Sequence, residues 1–327
     1  MEPQPPADAD QAVTIGADTA YAFCSFVDGA TTWLPASFPT FWQKAWVPDG
    51  DVNGHTATVF QMSIWIVLGP FARGAISLPV FALAIQGTKT GWDALNDFQV
   101  DSVAPFPPIP GALIAIGSQE GLDDILALER THQGSTESMQ DFLMNFAPGS
   151  KLLVTGHSLG GNVASVLAPW IAANVPAFGG NGGGEITALP PDLSAITFAA
   201  PTAGNEPFAT FLNGQPNYQA NFNTNDVVSH VWAASGPWSA YDIDNLYPLP
   251  GPPAPKSIKI YIAGQMQTLV NLGISYTQTN GNAFTCPVVA APGSGESAWK
   301  WELEYQHNYG YCVQFLGPKG NCQPPAS

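Results

Sequence analysis

Lys151-Leu152-Leu153-Val154-Thr155-Gly156-His157-Ser158-Leu159-Gly160-Gly161-Asn162 is the stretch on which the fold turns. Lys151 to Thr155 reads as a short apolar strand, Gly156 to Gly161 as a tight turn, and Asn162 to Ala173 as an apolar helix. The turn has the pattern G-x-S-x-G. That pattern arises by chance in many chains, but a strand before it and a helix after it give it meaning. The chain must reverse sharply there, and side chains in place of the glycines would collide. The turn projects the Ser158 hydroxyl out of the sheet, and the helix behind it aims unpaired backbone N–H groups at the same spot. Ser158 is therefore the candidate nucleophile, with an ordinary Gly-rich turn as the plain alternative.

Working outward, residues 11–29 carry apolar groups at helical spacing, and residues 30–54 read as an ordered loop rich in Trp, Pro and Gly. Thr56–Leu68 and Ile76–Ile85 are β-branched and aromatic, which predicts a β-hairpin. The apolar run Ile64–Ile85 is broken by Gly69, Pro70, Arg73, Gly74 and Pro79, so it reads as two strands and not as a membrane span. A helix or irregular stretch is expected from Gly91 to about Val103, and a mostly helical pattern over 118–147. Strands are expected at 194–199, 217–223 and 257–263, and a last helix at 296–304 before a loop with His307. Such alternation argues for an α/β architecture, a mostly parallel sheet with helices on both faces. Residues 1–10 read as a disordered tail and 11–327 as one domain.

The bulk numbers narrow the function classes. A chain of 327 residues buries enough surface to fold without staples. Net charge is −16, from 9 Lys and Arg against 25 Asp and Glu, so neither nucleic acid nor an anionic membrane is an expected partner. Cys24, Cys286, Cys312 and Cys322 lack CxxC spacing, which argues against zinc. Cys312 and Cys322 are the best candidates for a disulfide, with four reduced thiols as the alternative. The acidic, Pro-rich start Met1–Asp10 is the reverse of a secretory leader. The expected compartment is extracellular, with a leader outside this chain, and the cytoplasm is the alternative.

A nucleophilic serine needs a base, and the base needs an acid to orient it. In this kind of strand-turn-helix site the order along the chain is Ser, acid, His. Only His230 and His307 follow Ser158, and the acids between Ser158 and His307 include Asp192, Asp226, Asp242 and Asp244. Asp226 follows the alternating stretch Tyr218–Asn223 and would sit at a strand's carboxyl end, where ligands bind in open sheets. His307 is the expected base. His230, four residues beyond Asp226, is the runner-up. His157 reads as a packing residue, and His55 and His132 show no partner in the sequence. The Leu159 N–H would bind the oxyanion, and no metal or organic cofactor is needed.

Leu153–Gly161 resembles the serine turn of the fungal-type (class 3) triacylglycerol lipase family. Thr197-Phe198-Ala199-Ala200-Pro201-Thr202-Ala203-Gly204-Asn205 is similar to its F-G-x-P-R-x-G-N segment, and Asn223–Val228 to its acid-bearing N-x-x-D-x-V-P segment. Ile85-Gln86-Gly87-Thr88 resembles F-R-G-T, and Tyr21–Cys24 its first helix. The resemblance implies an α/β-hydrolase fold, hydrolysis of acylglycerols or similar esters through an acyl-enzyme, Thr88 as a second oxyanion donor, and a lid around 89–105. The substrate would be a small-molecule or lipid ester, met at an oil–water interface if the lid operates. Gln86 and Thr202 replace arginines, Ser229 stands where Pro is common, and the His-x-Gly-Phe signature near 105–115 is absent. Two other readings use the same residues: a thioesterase or amidase, and a non-catalytic binding protein of the same fold. Trp33, Trp42, Trp46, Trp232 and Trp238 are candidates for an acyl pocket or an interface, with core packing as the plain reading of each.

Overall fold

A computed structural model describes residues 15–28, 42–67, 75–87, 99–235, 238–317, 320 and 322–326. Residues 1–10, Trp33, Thr88 and 89–98 of the expected lid lie outside them.

Seven strands form the main sheet: β1 (Gln43–Trp46), β2 (Ala57–Val67), β3 (Ala75–Ile85), β8 (Lys151–His157), β9 (Leu193–Phe198), β10 (Tyr218–Asn223) and β11 (Asn282–Phe284), side by side in that order. The first three pair antiparallel, and β3 through β11 run parallel. The β2–β3 hairpin has continuous register from Ala57 opposite Ile85 to Val67 opposite Ala75. Two small hairpins stand apart, β4 (Val103–Pro105) with β5 (Leu113–Ala115), and β6 (Glu129–His132) with β7 (Ser135–Ser138).

Strand periodicity sorts side chains to the two faces. Phe81, Leu83 and Ile85 of β3 with Leu152 and Val154 of β8 meet α2 (Ile116–Ala127), α3 (Met139–Met144) and α4 (Leu159–Asn174) in one core. Val80, Ala82, Ala84 and Leu153 point to the other face, against α1 (Ala17–Val27) and the C-terminal helix. The central helix α4 is apolar all round and buried over nearly its whole length, as a helix sandwiched between layers must be. A third core lies beyond the carboxyl ends of the strands. There α7 (Lys256–Leu272) and α8 (Gly295–Glu304) pack with Leu159, Val227 and Trp232. This is the α/β-hydrolase fold, with a mostly parallel sheet sheathed on both faces.

Four expectations are corrected. Gln43–Trp46, read as loop, is an edge strand. Residues 118–147 are not one helical region: β6 and β7 interrupt it, turning on Gln133 and Gly134 at φ 52 and 82. Residues 257–263 are helix, because Ile258, Ile262, Met266 and Leu269 form a buried helical stripe that outlasts the short Ile-x-Ile-x-Ile alternation and leaves Ile260 exposed. His307 lies in a π-helical turn, Tyr305–Tyr309, that joins α8 to α9 (Gly310–Phe315), not in a loop.

Candidate active site

Ser158 has φ 57 and ψ −129, a conformation that costs a non-glycine residue on the order of 1–3 kcal/mol and persists only where neighbours impose it. The neighbours are visible. A Cβ on Gly156 would overlap the Gly160 carbonyl, and one on Gly160 would overlap the Ile85 carbonyl. The backbone of the turn thus touches itself and the adjoining strand β3, and only glycine fits at either contact. Leu159 is the first residue of α4, so its N–H has no carbonyl four residues back to bind. Ser158 is fully buried, and among the described residues its Oγ has no hydrogen-bond partner.

Asp226 follows β10 and caps α6 (Val227–His230), accepting the Val228 N–H on Oδ1 at 3.0 Å. Its carboxylate is wholly buried. His307 donates Nδ1–H to it, with 3.1 Å to Oδ1 and 3.0 Å to Oδ2. Ser229 and Tyr311 donate their hydroxyls to Oδ2 at 3.1 and 3.0 Å. Asn223 fixes the base's segment from β10: its Nδ2 donates to the Gln306 carbonyl at 2.9 Å and to Gln306 Oε1 at 2.8 Å. With Nδ1–H on Asp226, Nε2 of neutral His307 carries the free lone pair, and among the described residues it is buried without a hydrogen-bond partner.

The electrostatics follow from this pairing. Burial pushes His307 down, but the charge of Asp226 and its hydrogen bond outweigh that and hold the imidazole above its ordinary value. Burial pushes Asp226 up, and the His307 charge and hydrogen bond with the Val228 N–H bring it below the usual carboxylate range. His157 sits between layers. Its Nε2–H donates to the His307 carbonyl oxygen at 2.8 Å, and its ring centre lies 4.6 Å from that of His307. Burial is the main cause that drives its pKa down to about 3, so it stays neutral.

The other candidates separate cleanly. His230 donates Nδ1–H to the backbone carbonyl of Asp226 at 2.8 Å and makes no hydrogen bond to the carboxylate. Asp192 pairs with Lys151 and Asp244 with Lys259 at the surface. His55, without a partner in the sequence, pairs with Asp124 at 3.0 Å across the fold. A cavity of about 1080 Å³ opens beside Gly87 and Leu159, lined also by Gln86, His55, Glu120 and Asp124. Trp42, Trp46, Trp232 and Trp238 are all buried in cores. Cys312 and Cys322 form a disulfide, while Cys24 and Cys286 are buried thiols. Among the described residues no cluster of His, Cys, Asp and Glu could hold a metal, and no helix is long and apolar enough to cross a membrane.

Sequence reasoning missed Ser229, Tyr311 and Asn223. Ser229 was visible only as a departure from Pro. Tyr311 stands four residues beyond His307, a spacing that has meaning only once the segment is helical.

The pattern of the family Lipase (class 3) matches residues 82–235. The lipases of Rhizopus niveus and Rhizopus oryzae are each 26% identical over 190 residues, covering 58% of this chain and 42% of theirs. The chain thus spans less than half the length of these curated relatives. The crystal structure of M37 lipase superposes with a TM-score of 0.65 at 22% identity, covering 84% of this chain and 78% of that one. At that identity the likeness is one of fold.

Proposed function

We propose that this protein, whose residues 82–235 match the pattern of the class 3 lipase family, is a serine carboxylic-ester hydrolase acting on acylglycerols or similar esters. One observation carries the reading. The His307 imidazole is oriented by both oxygens of Asp226, while its Nε2 and the strained Ser158 Oγ are both buried and make no hydrogen bond among the described residues, to each other included. His307 takes the Ser158 proton as Ser158 attacks the ester carbonyl. The oxyanion is received by the Leu159 N–H, with Thr88 as the second donor by family resemblance. The alcohol leaves with the proton held on His307, and water then releases the acid by the same steps in reverse roles. The Cys312–Cys322 bond supports an extracellular setting, since such bonds persist in oxidising compartments.

The test is hydrolysis of a p-nitrophenyl ester series, with and without an emulsified interface, by wild type and Ser158→Ala. Wild type should turn over esters faster than acyl-CoA or amides and label with a fluorophosphonate at Ser158. Ser158→Ala should be folded, inert and unlabelled. Ester turnover near the wild-type rate in that variant would remove the nucleophile. Faster turnover of acyl-CoA or amides would reassign the substrate class. A rate that jumps when substrate forms an emulsion marks an interfacial lipase.

A further inference from the structure

Asp28 closes α1 and reaches across to the carboxyl ends of β3 and β8. Its Oδ1 accepts the Gly87 N–H at 2.9 Å. Gly87 itself rests on the serine turn: a Cβ there would lie 2.5 Å from the His157 carbonyl oxygen and 3.1 Å from Ser158 Cβ. Oδ2 of Asp28 faces Nδ1 of His157 at 4.0 Å. The far nitrogen of that same ring carries the hydrogen bond to the His307 backbone. One carboxylate therefore binds the strand end that leans on the nucleophile, and faces the ring that braces the base. The hydrolytic steps themselves make no use of it.

We propose that Asp28 is a positioning residue of the hydrolytic site, whose carboxylate holds the Gly87 peptide against the Ser158 turn and sets the charge beside His157 and His307. The inference rests on the ester-hydrolase reading of Ser158. Its physics is that of a linchpin between layers. Without an acceptor, the Gly87 N–H is left unpaired beside the nucleophile, and β3 loses the tie that seats it there. A displacement of about 1 Å at a reacting group can cost up to ~10²-fold in rate. His157 from β8 faces Asp28 directly, and the other titratable groups that feel its charge are His307 from the segment joining α8 and α9 and Tyr21 and Cys24 from its own helix. Of these, His157 is held neutral, and burial pushes Tyr21 and Cys24 upward, so His307 is the one that exchanges charge with Asp28 near neutral pH. Burial lifts Asp28 to about 7, against the pull of the Gly87 N–H and the His307 charge. Its negative charge is in turn one of those that raise His307.

The experiment compares Asp28→Asn and Asp28→Ala with wild type in the full chain. It reads kcat, KM and the pH profile on a soluble p-nitrophenyl ester, normalised to sites titrated by fluorophosphonate. Asparagine keeps an acceptor for Gly87 but has no charge. Asp28→Asn should hold kcat within about threefold and move the acid limb of the profile to lower pH. Asp28→Ala should lose about tenfold or more in kcat with KM nearly unchanged. Wild-type kcat and an unmoved acid limb in both variants would overturn the inference. If Asp28→Ala does not fold, the acid limb of Asp28→Asn decides alone, its shift supporting the inference and its constancy overturning it. A wild type inert to both ester and probe would instead fail the hydrolase reading beneath it.

Discussion

Tyr311 stands one helical turn beyond His307 and donates its hydroxyl to Oδ2 of Asp226 at 3.0 Å, the oxygen that also lies 3.0 Å from Nδ1 of His307. The same hydroxyl accepts the Asn223 N–H at 2.9 Å, so it ties the acid, the base's helix and the end of β10 together. Tyr311→Phe keeps the ring among Tyr21, His157 and Phe284 and removes only that knot. A hydrogen bond to a charged group contributes about 1.5–3 kcal/mol. The variant should lose stability of that order in urea unfolding and lose kcat severalfold, with KM little changed. Wild-type stability and kcat together would show that the Asn223 and Ser229 contacts suffice.

On the proposed mechanism His307 must be neutral to accept the Ser158 proton, so activity should fall as pH drops through its folded-state pKa. Asp226 holds that value above the ordinary histidine value of 6.5. The acid limb of kcat/KM for wild type should therefore have its midpoint above 6.5. Asp226→Asn removes the charge that raises it and offers an amide that no longer enforces the right tautomer. That variant should lose on the order of 10⁴-fold in kcat and shift its residual limb to lower pH. A limb that stays in place when Asp226 is neutral would mean that another group sets it.

His157 makes an opposite prediction for stability. The folded protein keeps it neutral down to about pH 3, whereas the unfolded chain protonates it near 6.5. Below 6.5 the unfolded state binds the extra proton, so this residue's contribution turns against folding as pH falls. At neutral pH its hydrogen bond to the His307 carbonyl favours wild type over His157→Phe. On going from pH 6.5 to pH 5 the difference should move toward the variant by about 1.6 kcal/mol. Urea unfolding of both proteins at the two pH values reads it directly. A difference that is independent of pH would sink the neutral assignment.

The fold was legible where local pattern and tertiary role agree. The serine turn announces itself by its glycines, of which Gly156 is required by the Gly160 carbonyl within the turn, and β2, β3, β8 and β10 carry apolar or alternating runs long enough to stand out. It was illegible where a short pattern competes with a longer one. Ile258, Ile260 and Ile262 alternate like a strand, yet Met266 and Leu269 extend the buried stripe into a helix. The hairpin at Gln133-Gly134 has few apolar residues and is held by backbone pairing and the Arg130–Glu137 ion pair, neither visible as periodicity. Within the site, Ser158, Asp226 and His307 could be named from chain order and context. The hydroxyls of Ser229 and Tyr311 could not, because their use depends on how α6 and α9 face one carboxylate. Asp28 was equally hidden, since its partner Gly87 lies 59 residues away.

The disulfide supplies the last prediction. Cys312 lies in α9, one residue after Tyr311, and is bonded to Cys322 across a separation of ten residues. The helix packs against α1 and the sheet through Tyr311, Leu316 and Phe315, so its fold does not depend on the bond alone. What the bond does is restrict the unfolded chain. Closing a loop of this length is worth about 2–3 kcal/mol in the chain-entropy picture. Cys322→Ser should therefore lower the melting temperature by several degrees while leaving kcat at 25 °C unchanged, because the Tyr311 contacts persist in the folded state. A reducing agent should do the same to wild type and nothing further to the variant. If kcat falls in parallel with stability at 25 °C, the tail is holding Tyr311 on Asp226, and the bond belongs to the active site's support as well as to the chain's entropy.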